Sequence, residues 1–392
     1  MLKFFGEILA RIHIQRPSGL FKPPFKKNLK IILFRFNPFG LSLFSKGGWR
    51  EFLIFKTIMI TKMSAQKQST PTAWQRELRQ AIHNPLQLLE LLKLSDNVLA
   101  QTVIAKQRFE LRVPRGYVAR MRQAEPSDPL LLQVLPRVEE QEQLQGFSLD
   151  PVSDRRAEKM PGLLHKYHGR VLLMTTGACA IHCRYCFRQH YHYAACPPVP
   201  NQAALDYIRA DTSIREVILS GGDPLVLIDS RLAELAHHLA NISHIQRLRL
   251  HTRLPIILPE RVNDELLTWL TGTRLQPVMV VHANHANEIN EKVNQALQKL
   301  IKAGVFVLNQ SVLLRGINDN ATALIALSEA LFNSHVLPYY LHVLDRVQGA
   351  AHFEVPEKKA IQLLEQMQAA LPGYLVPKLV REVAGMGYKL PL

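Results

Sequence analysis

Residues 177–189 read GACAIHCRYCFRQ and carry three of the chain's four cysteines. Cys179, Cys183 and Cys186 follow the spacing C-x3-C-x2-C. Four cysteines are too few for a disulfide scaffold in 392 residues, so a cluster of three within eight residues indicates a metal or iron–sulfur site in a reducing compartment. Three thiolates are one short of the four ligands of a closed zinc site. The stretch therefore raises the question of what occupies the fourth position.

Two kinds of site fit three thiolates. A zinc ion could take His182 or His190 as its fourth ligand, whereas an iron–sulfur cluster could leave one iron open to a ligand from outside the protein. The remaining cysteine, Cys196, lies in a Pro-flanked loop and is interpreted as an ordinary free thiol.

From residue 170 onward the chain repeats one unit. Short apolar, β-branched runs alternate with helix-like segments, and the runs start about thirty residues apart, the size of a βα unit. Six such units without a reversal predict an α/β fold with a partial (βα)6 TIM-like barrel. The predicted strands are 171–175, 216–219, 247–251, 277–281, 304–308 and 336–341. The predicted helices are 201–211, 229–242, 260–272, 287–303, 320–334 and 356–370.

Composition divides the rest of the chain. Residues 1–62 hold twelve Lys and Arg, two acidic residues and ten of the sixteen Phe, which leaves +6 of the net charge of +16 for the remainder. Charges and prolines interrupt every apolar run long enough to span a membrane, and no secretory signal pattern is present. We interpret 1–62 as a basic, Phe-rich extension, disordered or assigned from an upstream start, with the natural start near Met63. Residues 63–165 are predicted to be mainly helical, with a loop at 148–162, and 166–392 to form the barrel.

The predicted strands end in polar residues. Chemistry in parallel barrels lies at the carboxyl ends of the strands, so these residues are expected to share one site. Besides the cysteines they are SGGDP (220–224), HTR (251–253), HANH (282–285), NQS (309–311) and Asp345.

A second chemical signal lies near the end of the chain. Lys389 stands in GMGYKLPL, preceded by Gly385 and Gly387. A lysine amine can bond covalently to pyridoxal phosphate, whose ring stores electrons during amino-group chemistry. Arg170, nine residues before Cys179, is a natural contact for the phosphate of such a cofactor.

Several stretches resemble the lysine 2,3-aminomutase family of radical S-adenosylmethionine enzymes, over about residues 72–392. They are VLLMTTGACAIHCRYCFRQHYHY, LSGGDPL, HTRLPIILPERV, VVHANHANEI, NQSVLLRGINDN, LPYYLHVLDRVQGAAHF and LPGYLVPKLVREVAG. Within the family, PGLLHKYHGR and PYYLHVLDRVQGAAHF resemble the branch associated with β-lysylation of translation elongation factor P.

The resemblance implies three cofactors and the residues that bind them. The three cysteines would ligate a [4Fe–4S] cluster whose open iron is bound by S-adenosylmethionine, and Lys389 would bind pyridoxal phosphate covalently. Contacts to S-adenosylmethionine are implied for Ser220, Gly221, Gly222, Asp223 and His282. Contacts to pyridoxal phosphate are implied for Arg170 and Gln310.

The resemblance also implies a substrate site. Arg188 would pair with the α-carboxylate of lysine, for which a guanidinium fork is well shaped. Asp345 and Glu382 would bind the ε-ammonium, and Glu382 stands where the aminomutases usually have Asp, which keeps the charge and adds a methylene. Two acids at the far end of the substrate favour a dibasic amino acid over glutamate.

The implied protein is a cytoplasmic isomerase that converts L-α-lysine into (R)-β-lysine by means of a 5′-deoxyadenosyl radical and pyridoxal phosphate. Its product would pass to a ligase that modifies elongation factor P, and a reductant such as flavodoxin would supply electrons. No nucleic-acid or membrane partner is predicted. The alternatives are the same reaction, on lysine or another amino acid, in a separate metabolic pathway, and a zinc-stabilised RNA-associated protein.

Overall fold

The computed structural model describes residues 71–94 and 110–392, together with two short strands nearer the start of the chain. These strands, β1 (Phe34–Asn37) and β2 (Gly40–Leu43), pair with each other in antiparallel fashion. The chain divides into two compact units, Met1–Thr70 and Pro71–Leu392. The interpretation of 1–62 as an extension with a later natural start lies outside the described residues and stays a prediction.

In the second unit, ten strands of the described chain form one sheet, and each pairs with the strand that follows it in sequence. Strands β5 to β11 run parallel, while β3, β4 and β12 are antiparallel to their neighbours. The strands are β3 (Glu158–Met160), β4 (Leu163–Tyr167), β5 (Arg170–Thr176), β6 (Glu216–Gly221), β7 (Arg247–Thr252), β8 (Gln276–Val281), β9 (Phe306–Val312), β10 (Leu337–His342), β11 (Lys378–Arg381) and β12 (Leu390–Pro391).

Helices connect the parallel strands, as the sequence predicts. At least one helix follows each strand from β5 to β10, so the α/β partial barrel is confirmed, with β11 as a further parallel strand. The described helices are α1 (Ala73–Arg79), α2 (Pro85–Leu91), α3 (Arg115–Val118), α4 (Asp154–Ala157), α5 (Gln202–Ala210), α6 (Asp229–Ala240), α7 (Leu254–Ile257), α8 (Asp264–Thr271), α9 (Glu291–Lys302), α10 (Ala321–Asn333) and α11 (Glu357–Ala370). Among residues 71–94 and 110–392, no helix has the length and apolarity needed to cross a bilayer.

The two faces of the barrel strands differ in chemistry. Side chains alternate between faces along a strand. On β7, Leu248 and Leu250 are buried in the apolar core with the helices, whereas Arg249 and His251 face a cavity on the other side. The sequence RLRLHT is therefore a barrel strand with a polar inner face.

The region before the barrel supports the cysteine stretch. Ile181 packs into the apolar cluster of this region, which includes Leu88 and Leu130. The backbone N–H of His182 donates to the carbonyl of Arg112 at 3.1 Å. Backbone pairing of this kind fixes the path of the cysteine loop.

Residues 148–162 differ from the predicted loop, because they contain α4 and β3. Strand β4 then crosses the predicted boundary at 165/166 and pairs with β5 in antiparallel fashion. Strands as short as these are defined by the edge to which they bond and carry little alternation of their own. The domain boundaries themselves remain a prediction.

Candidate active site

A cavity of about 400 Å³ lies on the inner face of the barrel. Side chains from β4 to β10 and from the segment between β11 and β12 line it, so the sheet curves around it. The structure brings eight of the predicted site residues together here: Arg170, Arg188, Ser220, His282, Gln310, Asp345, Glu382 and Lys389. A volume of this size is typical of a small-molecule site.

Sequence reasoning missed several residues that line the same cavity. Glu216 on β6, Arg249 on β7 and His342 at the end of β10 are such residues. The signal that could have found them is polar residues at every second position of a barrel strand. Asp154, Lys166 and Tyr167 line the cavity from α4 and β4, where no such pattern exists.

Five charged side chains form a continuous chain of ion pairs of alternating sign along the cavity wall. Lys389 Nζ lies 2.6 Å from Glu382 Oε2, and Glu382 Oε1 lies 2.9 Å from Lys166 Nζ. Lys166 Nζ also lies 2.7 Å from Asp154 Oδ1, and Asp154 Oδ2 accepts from Arg188 Nε at 2.7 Å. The predicted cofactor lysine and the predicted carboxylate-binding arginine are thus the two ends of one network.

The carboxylates of the cavity differ in their electrostatic surroundings. Burial alone would raise the pKa of Glu382, but the ammonium groups of Lys389 and Lys166 outweigh it and hold that pKa well below its usual range. Arg188 and Lys166 likewise lower the pKa of Asp154 against the effect of its burial. Burial and the nearby Glu382 carboxylate instead raise the pKa of Asp345 to about 7. Among the described carboxylates that line the cavity, Asp345 is the one without an ion-pair partner.

Three histidines that line the cavity have an unpaired ring atom. The buried Nε2 atoms of His251, His282 and His342, and Nε of Arg249, find no hydrogen-bond partner among the described residues. Burial lowers the pKa of each histidine, that of His282 to about 3, so the rings are neutral. Buried polar atoms without a partner are costly. They mark places where a bound molecule would complete the hydrogen bonding.

The three clustered cysteines lie half-buried on the loop after β5. Burial raises the pKa of Cys179, and burial together with the neighbouring Cys183 raises the pKa of Cys186 to about 11. Loading of a metal or cluster onto such thiols must release protons.

Each histidine of the zinc alternative has one ring nitrogen beside a backbone carbonyl oxygen. His182 Nδ1 lies 2.6 Å from the carbonyl oxygen of Glu110, and His190 Nε2 lies 3.2 Å from that of Gln348. Within 71–94 and 110–392, no three His, Cys, Asp or Glu side chains are grouped as the ligands of one metal ion.

The glycine pair of SGGDP lies directly against the cysteine loop. Gly221 has φ +126°, and a Cβ there would lie 2.4 Å from the carbonyl oxygen of Thr176. A Cβ on Gly222 would lie 2.2 Å from that of Ala178. Only glycine permits this approach of β6 to the start of the cysteine loop. We expected a cofactor to contact these two glycines. In the structure, the backbone of the cysteine loop lies against them.

The Asp223 carboxylate organises the loop after β7. It accepts hydrogen bonds from Thr252 Oγ1 at 2.7 Å and from the backbone N–H groups of Arg253 at 2.7 Å and Leu225 at 3.0 Å. The backbone N–H of Leu254 donates to it as well, at 3.2 Å, and a side chain committed to four protein donors has little capacity for a cofactor. Its predicted contact with S-adenosylmethionine would therefore have to come through its backbone.

Asp223 in turn places Arg253 between the cysteine loop and the region before the barrel. Arg253 Nη1 lies 2.6 Å from Cys183 Sγ, and Nη2 donates to Glu288 Oε2 at 2.8 Å and to Gln133 Oε1 at 2.5 Å. The side chains of Arg253 and Glu288 are 7% and 0% exposed. This ion pair lies deep in the molecule and joins three parts of the chain.

Replacement of Arg253 by methionine is expected to lower the free energy of unfolding by about 3–5 kcal/mol, because it leaves the buried Glu288 carboxylate uncompensated. Guanidinium unfolding of the anaerobic holoenzyme measures the change. The control is Arg247→Met at the start of β7, where a more exposed ion pair with Glu216 predicts a loss of about 1 kcal/mol or less. Equal losses in the two variants would contradict this view of the network.

The fold and the cysteine loop together define a radical S-adenosylmethionine enzyme: a partial parallel barrel whose first strand leads into a three-cysteine cluster loop. A family described as "4Fe-4S single cluster domain" matches residues 168–249, which contain that loop. The chain is 49% identical to an L-lysine 2,3-aminomutase from Haemophilus influenzae, over 80% of this chain and 93% of that protein. It is 47% identical to the one from Escherichia coli, over 81% and 94%, and 33% identical to the one from Clostridium subterminale, over 81% and 77%. The chain belongs to the L-lysine 2,3-aminomutase family and is an isomerase.

A solved radical S-adenosylmethionine methyltransferase from Sphaerobacter thermophilus is similar with a TM-score of 0.39 and 14% identity, covering 56% of this chain and 68% of that one.

The cofactors of such an enzyme are a [4Fe–4S] cluster, S-adenosylmethionine and pyridoxal phosphate, and the residues present fit them. The cysteine loop supplies three thiols. Lys389 brings a primary amine into the cavity, where Arg249 and three histidines offer unpaired atoms. The roles of individual residues remain predictions.

Proposed function

We propose that this enzyme converts L-α-lysine into (R)-β-lysine, which is then attached to translation elongation factor P. The observation that carries the substrate assignment is the charge pattern of the cavity. A guanidinium with a free nitrogen, a half-buried carboxylate without an ion-pair partner and a lysine amine line the same 400 Å³ space. Lysine carries the complementary groups: a carboxylate, an ammonium and an α-amine.

Arg188 is the proposed partner of the substrate carboxylate. It uses Nε for Asp154 and Nη1 for Ser220 Oγ at 3.2 Å, which leaves Nη2 without a hydrogen-bond partner among the described residues. Charge-assisted hydrogen bonds from a guanidinium are well suited to a carboxylate. The contacts with Asp154 and Ser220 hold the group so that little of its freedom is lost on binding.

Asp345 and Glu382 are the proposed partners of the ε-ammonium. Asp345 has no ion-pair partner among the described residues, whereas Glu382 is shared between Lys166 and Lys389. If Lys389 is bonded covalently to the cofactor, its amine would not be free to pair with Glu382 as it does here, and Glu382 Oε2 would be left for the ε-ammonium of the substrate.

When bound, the reduced cluster with S-adenosylmethionine supplies a radical that abstracts hydrogen, and pyridoxal phosphate supplies a ring that delocalises the unpaired electron. The residues of the chain would bind the three cofactors and hold the substrate. Cys179, Cys183 and Cys186 would ligate the cluster, and Ser220, Gly221, Gly222 and His282 would contact S-adenosylmethionine. Arg170 and Gln310 would hold the phosphate. The enclosed inner face of the barrel fixes the reacting groups and limits water.

Elongation factor P as the destination rests on the resemblance to the β-lysylation branch. The relatives at 33–49% identity are all named L-lysine 2,3-aminomutase, which supports the reaction that supplies this pathway. We further assign to this pathway a cytoplasmic location, a ligase that takes the β-lysine and a reductant such as flavodoxin.

The test has two arms. Anaerobic incubation with L-lysine, reductant and S-adenosylmethionine is expected to yield β-lysine, identified by mass spectrometry with chiral separation. Addition of elongation factor P and its ligase is expected to increase the mass of that protein by one β-lysyl group. Turnover of another amino acid would overturn the substrate assignment. Formation of β-lysine without modification of elongation factor P would favour a separate metabolic role.

The raised pKa of Asp345 predicts a pH dependence of lysine binding. A carboxyl group with a pKa of about 7 is charged above that pH and neutral below it, while the ε-ammonium of lysine stays charged throughout. KM for L-lysine is expected to rise about tenfold per pH unit below 7 and to level off above it. Steady-state kinetics between pH 6 and 8.5 measure this. In Asp345→Asn the KM should be high at every pH, and a profile like that of the wild type would refute the assignment.

A further inference from the structure

We propose that Asp154 and Lys166 are positioning residues that join the two ends of the substrate site. They hold Arg188 at the carboxylate end and Glu382 at the ammonium end, and so fix the distance that the substrate must span. The inference rests on the proposed function for the identity of the substrate, and on the cavity geometry for everything else.

Asp154 fixes Arg188. The Asp154 side chain is 2% exposed, and its backbone N–H donates to Asp150 Oδ1 at 2.8 Å, which anchors the residue at the start of α4. Its Oδ2 accepts from Arg188 Nε at 2.7 Å, and Ser220 Oγ accepts from Arg188 Nη1. Two contacts on a planar guanidinium define its plane and direct Nη2 into the cavity.

Lys166 fixes Glu382. The Lys166 ammonium donates hydrogen bonds to Val152 O at 2.8 Å and Glu382 Oε1 at 2.9 Å, and it forms an ion pair with Asp154 Oδ1 at 2.7 Å. Three neighbouring oxygens of the protein thus hold the ammonium in place. Its role is to hold Glu382 Oε1 so that Oε2 alone faces Lys389.

The Asp154–Lys166 pair therefore links the position of Arg188 to that of Glu382. Arg188 and Glu382 come from distant parts of the chain, the loop after β5 and the end of β11, and their shared link is the Asp154–Lys166 contact. Loss of either member frees both ends. Binding of the substrate should weaken, and the discrimination between L-lysine and L-ornithine, which is one methylene shorter, should relax.

The first test uses kinetics of the holoenzyme. Asp154→Asn and Lys166→Met are expected to raise KM for L-lysine about tenfold to a hundredfold, the effect of one charge-assisted hydrogen bond, with kcat within about threefold. Cofactor content should be unchanged, and the preference for lysine over ornithine in kcat/KM should fall. Lys166→Arg, which keeps the charge and the donors, should recover most of the affinity.

The controls are Arg155→Gln, an exposed charge on the same helix, and Lys159→Met, an exposed lysine on the adjacent strand β3. Both should match the wild type. A fall in kcat at unchanged KM, or equal losses for lysine and ornithine, would overturn the positioning role, because a general loss of structure would affect both substrates alike.

The second test is independent of the reaction. In a crystal structure of Asp154→Asn, Arg188 is expected to leave Ser220, and in one of Lys166→Met, Glu382 is expected to move from its position. Side chains that stay in place would overturn the inference whatever the substrate is. Wild-type enzyme that fails to isomerise lysine would overturn the proposed function instead.

Discussion

Replacement of Lys389 by alanine is expected to abolish isomerisation, with a loss of at least about 10³-fold in kcat, because Lys166, the other lysine of the described cavity, is held in ion pairs with Asp154 and Glu382. Lys389 brings its amine into the cavity 2.6 Å from Glu382 and 5.9 Å from the centre of the Tyr340 ring. The variant should also lose the visible absorbance of bound pyridoxal phosphate. Turnover and the absorbance spectrum of the anaerobically reconstituted protein measure the two effects.

Cluster content separates this role from a general defect. The Lys389→Ala protein should keep its iron and sulfide, since the cysteine loop lies at the opposite end of the network. Lys378→Ala, an exposed lysine at the start of β11, is the control and should behave like the wild type. Retention of pyridoxal phosphate and of activity in Lys389→Ala would refute the assignment of this lysine.

Replacement of Cys186 by serine is expected to produce the converse result. A serine oxygen is a poor substitute for a thiolate ligand, so the cluster should be lost, together with at least about 10³-fold of the activity. Pyridoxal phosphate should still bind to Lys389, because that end of the cavity does not depend on the cysteine loop. Iron analysis, the cluster absorbance and electron paramagnetic resonance of the reduced protein measure the change.

The control for this experiment is the remaining cysteine. Cys196 lies outside the cluster loop, so Cys196→Ser should retain cluster and activity. A normal cluster in Cys186→Ser, or its loss in Cys196→Ser, would mean that the ligands are not the three cysteines of C-x3-C-x2-C. The Lys389→Ala and Cys186→Ser experiments together distinguish loss of pyridoxal phosphate from loss of the cluster.

Much of the fold could be predicted from the sequence because its signals are local. Runs such as VLLMT and GVFVL, separated by helical segments at a constant interval, leave few arrangements other than a parallel barrel. Strand β11, with four residues, and the strands β3 and β4, with three and five residues, were missed because runs this short show little alternation of side chains.

The candidate site likewise has parts that could be predicted from the sequence and parts that could not. Residue type and spacing were sufficient to predict the cysteine loop, and the family motifs led to Arg188, Asp345 and Lys389. The use of Gly221 and Gly222 for packing against the cysteine loop was not predictable, because it depends on which backbone lies opposite them.

The sequence by itself determined the repeating βα units, the three-thiol loop and the family to which the chain belongs, since all of these reside in short contiguous stretches. Only the tertiary structure decided that Asp154 and Lys166 stand between Arg188 and Glu382. The sequence around a charged residue does not show which residue will be its ion-pair partner. An ion pair is specified when folding brings two segments to within about 3–4 Å, and segments 216 residues apart in sequence meet here, at Lys166 and Glu382, only after the barrel has closed.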